Sequence, residues 1–145
     1  MEQILFHYVD IKVTIKGKKT IKDIVRVMFK KEKTPLNRLD YIFCSDDYLL
    51  DINQRFLKHN YYTDIITFDL SDSKAVKGEI YISVDRVKEN ARLHKQPFYV
   101  EFARVIFHGA LHLCDYKDKK NNEKTVMRSK EDFYLKRYSV SRGTY

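Results

Sequence analysis

The chain has 145 residues, 43% of them apolar and 33% charged, and a net charge of +8 at pH 7. That length suits one domain with a real core, and no apolar run approaches the ~20 residues needed to span a bilayer. The excess of 28 basic over 20 acidic residues favours an anionic partner, and fits RNA better than a peptide.

The segments Ile4–Val9 and Ile11–Ile15 are rich in β-branched and aromatic residues and predict a strand or two. Gly17-Lys18-Lys19 breaks the run, and Thr20 is placed to cap a helix carried by Ile21, Ile24, Val25 and Met28. Its many lysines read as a solvated face. Pro35 ends that helix. Arg38–Cys44 alternates as a strand, and Ser45 or Asp46 caps a helix to about Lys58. After a polar, aromatic loop, His59-Asn60-Tyr61-Tyr62, come strands at Asp64–Leu70 and Gly78–Val84, close enough to form a hairpin. Ser83 or Asp85 opens a helix to about His94, and Gln96-Pro97 breaks it. A long helix follows from Phe98 to Leu113, then a charged amphipathic helix, Lys124–Tyr138. Residues 139–145 are expected to be a mobile tail. The fold class is therefore α+β: residues 1–145 form a single domain, a small mixed sheet of about four strands packed with helices.

The long helix carries the chemistry. His108 and His112 stand four apart, so on a helix both imidazoles leave one face. Such a pair can hold one divalent ion, at about 2.0–2.1 Å for zinc. The position after the first histidine is Gly109, which supplies no general base and excludes the H-E-x-x-H peptidase pattern. A small residue there is expected to open room beside the metal. Asp115 and Asp118 both follow closely enough to supply a third ligand. Asp115 would share the imidazole face if the helix ran on; Asp118 would reach back if it stopped. Cys114 turns away from His112 and reads as a core residue. Neither it nor Cys44 has metal spacing, and both suit a reducing compartment.

The block His108-Gly109-Ala110-Leu111-His112-Leu113 resembles the YbeY family of bacterial endoribonucleases and ribosomal RNA maturation factors. Asn53, Thr63-Asp64-Ile65-Ile66-Thr67-Phe68 and Gly78-Glu79-Ile80-Tyr81-Ile82-Ser83 fall in family order, so the likeness covers roughly residues 40–120. It implies a metal-dependent, single-strand-preferring endoribonuclease that matures ribosomal RNA. It implies one divalent ion, zinc first, held by His108, His112 and Asp118. It further implies ribosomal RNA or the small ribosomal subunit as partner. The lack of a long apolar run and the start Met1-Glu2-Gln3, unlike a secretion signal, lead to the expectation of a soluble, cytoplasmic protein. The chain departs from the family at three positions: Asp118 stands for a histidine, Asp115 for a glycine and Leu57 for an arginine. Asp115 in that glycine position suggests a left-handed turn ending the helix.

The general base is open. Asp64 is a candidate because its strand can reach the site; its alternative is a structural turn. Arg104, one turn before His108, is a candidate phosphate contact or a surface residue. Arg55 would replace the missing arginine only if its helix end shifted. Two other functions compete: a metal-dependent peptidase or small-molecule hydrolase, and a non-catalytic ribosome-assembly factor.

Overall fold

Why α4 lies where it does is visible at two glycines. A Cβ on Gly109 would meet Ile80 Cγ2 at 2.8 Å and Ile65 Cδ1 at 2.9 Å, and one on Gly78 would meet Leu113 Cδ1 at 2.7 Å. Helix α4 (Phe98–Leu113) therefore sits directly on strands β3 (Ile65–Asp69) and β4 (Val76–Ser83). Gly109 faces the sheet; the space beside it is filled by isoleucines, and it opens no room beside the histidines. Tyr41, fully buried, pins the same helix by donating to the Ile106 carbonyl at 2.8 Å.

The computed structural model describes residues 3–142 of the chain. The remaining elements are β1 (Gln3–Val9), α1 (Lys18–Lys31), β2 (Leu36–Cys44), α2 (Asp46–Leu57), α3 (Val84–Leu93) and α5 (Asn121–Arg142). The sheet has the order β1-β2-β4-β3. Strands β1, β2 and β4 run parallel, and β3 returns antiparallel to β4. This is the mixed four-stranded α+β sheet that the pattern predicts. The main core, with Leu39, Phe43, Ile80, Phe102 and Ile106, lies between the sheet and α1, α4 and α5. A smaller cluster of Cys44, Leu49, Ile52 and Ile66 places α2 on the opposite face.

Local differences from the sequence reading have local causes. Ile11–Ile15 forms no strand: Asp10 takes a left-handed conformation (φ 60°) that ends β1 and turns the chain off the sheet edge. Its apolar residues still pack on the core. Helix α1 starts at Lys18 behind left-handed Gly17, without a side-chain cap, so Thr20 lies inside it. Ser45 and Ser83 do cap, accepting from the amides of Tyr48 and Arg86. Helix α5 continues to Arg142, so residues 139–142 of the expected tail are helical; 143–145 lie outside the described residues. Among the described residues no helix is long and apolar enough to cross a membrane.

Candidate metal centre

Helix α4 presents His108 and His112 on one face, with ring centroids 4.6 Å apart. The helix then stops. Cys114 is its C-cap, and Asp115 takes a left-handed conformation (φ 71°). That turn brings the following segment back over the helix end. Asp118 Oδ2 arrives 3.1 Å from His108 Nε2 and 3.4 Å from His112 Nε2, and the two Nε2 atoms are 3.0 Å apart. Ligands 2.0–2.1 Å from a tetrahedral zinc are about 3.3 Å from one another. The three atoms thus have the size of one face of such a shell. Asp115 is not among them; it borders a separate hollow with Tyr116 and Lys117.

The hydrogen bonds behind the rings decide what the front atoms are. His108 Nδ1 donates to Glu131 Oε2 at 2.5 Å, and His112 Nδ1 donates to the Tyr116 carbonyl at 3.0 Å. With each Nδ1 donating, a ring in its neutral form presents an Nε2 lone pair to the front. Two imidazole nitrogens and a carboxylate oxygen then converge on one point, where a divalent cation can accept all three. The residues fit a divalent ion. Burial alone would lower the pKa of His108, but Glu131, Asp118 and Asp64 outweigh it and raise it. The surroundings thus favour positive charge at that spot.

The cluster forms part of a cleft of about 700 Å³. Thr63 and Asp64 enter from the start of β3, Glu101 and Arg104 from α4, and Arg128 and Glu131 from α5. The structure therefore brings Asp64 to the cleft. Burial raises the pKa of its carboxyl, partly offset by the charge of His108. Arg104 also reaches the cleft, but both its arms are engaged: Nη1 donates to Glu131 Oε1 at 2.9 Å and Nη2 to Asp132 Oδ1 at 2.8 Å. Arg55 stays on α2 beside Asp51, away from the cleft lining. Leu57 ends α2 half exposed. Burial pushes both cysteine thiols up to about 12, which makes them poor nucleophiles near neutrality.

Two residues of this site were not singled out by the sequence. Glu131 is buried and holds both His108 and Arg104. Arg128, one turn earlier, is exposed at the cleft and has no ion pair among the described residues.

The fold and site define an α+β protein whose histidine pair and carboxylate, a group that could hold a divalent ion, stand in a polar cleft beside the sheet. The comparisons narrow that class. The family model described as Endoribonuclease YbeY matches residues 3–139, and the chain belongs to that family. It is 48% identical over 135 residues to the Endoribonuclease YbeY of Cytophaga hutchinsonii, covering 92% of this chain and 94% of the other. The Flavobacterium psychrophilum protein of the same name is 43% identical over 140 residues, covering 97% and 99%. The solution structure of a Thermotoga maritima protein superposes with a TM-score of 0.65 at 28% identity, covering 94% of this chain and 90% of that one.

Proposed function

We propose that the protein is a metal-dependent endoribonuclease that cuts single-stranded segments of RNA during ribosomal RNA maturation, with zinc held by His108, His112 and Asp118. The observation that carries the reading is the convergence of those three electron-pair donors inside a cleft, in a chain of an endoribonuclease family. A single domain, residues 1–145, carries the whole site. Ribosomal RNA, free or in the small subunit, is the proposed substrate, and the cytoplasm is where it is met.

When bound, the ion supplies Lewis-acid polarisation of a phosphodiester oxygen and acidifies a water molecule. The protein's own groups do the rest. Glu131 and the Tyr116 carbonyl hold the two imidazoles in the tautomer and orientation that present Nε2. Asp64, whose carboxyl has a raised pKa, accepts a proton more readily near neutrality than an ordinary aspartate. Arg128 meets the phosphate backbone. Arg104 buttresses Glu131.

The test is metal content of the purified protein together with cleavage of a single-stranded RNA before chelation, after it, and after zinc is restored. The reading expects one ion per chain and activity that leaves and returns with it. Unchanged cleavage after complete removal of metal would refute it.

A further inference from the structure

At the end of α2 and in the loop from it to β3 the chain exposes four large apolar side chains within seven residues: Phe56, Leu57, Tyr61 and Tyr62. Tyr61 and Tyr62 keep 56% and 47% of their surface in solvent. A loop that needed only to connect two elements would be polar there.

The loop is also held firmly. Asn53, only 1% exposed, spans it from below. Its carbonyl accepts from the His59 amide at 3.1 Å, and its Nδ2 donates to the Tyr61 carbonyl at 2.9 Å. Lys58 makes the turn in a left-handed conformation (φ 59°). A buried polar side chain is thus committed to a loop whose rings point outward.

Each ring is backed on one face. His59 lies against Tyr61 with centroids 5.1 Å apart and planes 20° from parallel. The Arg86 guanidinium stands 5.1 Å from the centre of the Tyr62 ring, and the Tyr62 hydroxyl donates to Asp47 at 3.2 Å. Arg55 sits 5.7 Å from the ring of Phe56. Thr63 and Asp64, the next residues after Tyr62, line the cleft that holds His108 and His112. Consecutive Cα atoms are about 3.8 Å apart, so the backbone that carries the rings runs directly into residues that line that cleft.

We propose that Tyr61 and Tyr62 form a stacking platform for unpaired RNA bases, on the loop that leads into the cleft. Exposed aromatic faces bind bases without regard to sequence, and the Arg86 guanidinium behind Tyr62 adds a cation to that face. Bases already stacked and paired in a duplex cannot use them, so the platform is a source of single-strand preference. The proposal rests on the endoribonuclease reading for its ligand, and the Arg86 guanidinium behind Tyr62 and the direct run of the chain into the cleft favour nucleic acid over a protein partner.

The test is equilibrium binding by fluorescence anisotropy with chelator present, so that nothing is cut. The probes are an oligoadenylate of about twelve nucleotides and a strand of equal length carrying abasic sites. The intact protein binds the base-bearing strand about tenfold or more tighter than the abasic one. The Tyr61→Ala/Tyr62→Ala variant loses that preference and leaves abasic binding unchanged, while Tyr61→Phe/Tyr62→Phe keeps it. Equal binding of both probes by the intact protein, or a preference that survives in the alanine variant, overturns the platform. A protein that shows the preference but cuts no RNA with zinc restored would sink the nuclease reading and leave the platform standing.

Discussion

His108 on α4 and Glu131 on α5, 23 residues apart in sequence, are joined by a 2.5 Å hydrogen bond from Nδ1 to Oε2. The bond fixes the face that His108 turns to the cleft, and it ties the candidate metal centre to the last helix. Glu131 is nearly enclosed and also carries Arg104.

Replacing Glu131 with glutamine keeps an acceptor but removes its charge. Partners behind a metal-ligating histidine typically contribute about 10–100-fold in metal affinity. Glu131→Gln is expected to weaken zinc binding by about that range while the chain stays folded. A competition titration against a chelator of known affinity checks it, and unchanged affinity would remove Glu131 from the site.

The two aspartates after the helix separate in the same assay. Asp118→Ala is expected to lose tight metal binding, since it removes one of three converging donors. Asp118→His is expected to keep a site with a different order of metal preference, because an imidazole replaces a carboxylate. Asp115 occupies a left-handed turn (φ 71°) and contributes no donor. Asp115→Gly should retain the metal and raise stability by about 0.5–1 kcal/mol. Metal loss in Asp115→Gly with retention in Asp118→Ala would reverse the ligand assignment.

Much of this architecture was legible because its signals are local. Alternation in Leu39, Tyr41 and Phe43, serine caps at Ser45 and Ser83, and the four-residue step from His108 to His112 each use neighbours in sequence. Asp118 was different: two aspartates were compatible with the residues, and only the family likeness chose between them. Glu131 and Arg128 were invisible for a physical reason. Helix α5 carries charges all round, and nothing in its spacing says which of them meets α4. Gly109 was misread because a missing side chain reveals nothing of what fills its place. Here Ile80 and Ile65 do.

That close approach has a measurable consequence. Gly109→Ala puts a methyl group 2.8 Å from Ile80 Cγ2, against the floor of the core. Overpacking of this kind costs about 1–3 kcal/mol. Thermal unfolding of Gly109→Ala should show a lowered Tm with metal content per folded chain little changed. For the same reason Gly109→Glu should unfold the chain and confer no peptidase activity. A stable Gly109→Glu variant would contradict the packing described.

Glu32 gives a pH prediction. It caps the end of α1 and accepts from the hydroxyls of Tyr116 at 2.6 Å and Tyr134 at 2.9 Å, and from Lys130 at 3.2 Å. Burial raises its pKa, but these hydrogen bonds outweigh it, and the net value lies below the ordinary 4.5. A carboxyl whose folded pKa is depressed stabilises the fold above its unfolded pKa. That contribution is lost as pH falls below about 4.5 through the folded value. Glu32→Gln should therefore lower Tm near neutrality and narrow its gap to the native chain as the solution is acidified below that point. A gap that stays constant from neutral to acid pH would show that Glu32 does not act through its charge.

The last prediction separates the two arginines of the cleft. Both line it, but Arg104 is committed to Glu131 and Asp132, whereas Arg128 is exposed and has no ion pair among the described residues. A cation that meets a phosphate releases counterions, and for a single strand each contact contributes about 0.7 to the slope of log affinity against log salt. Arg128→Ala should weaken RNA binding and flatten that slope by about 0.7, with metal content unchanged. Arg104→Ala leaves the buried Glu131 without its cation. It is expected to disturb His108 and metal binding, with a smaller change in salt slope than Arg128→Ala. Salt titrations of RNA binding by the native chain and both variants decide it. If Arg104→Ala flattens the slope and Arg128→Ala does not, Arg104 lets go of its carboxylates to meet RNA, and the phosphate contact belongs to α4.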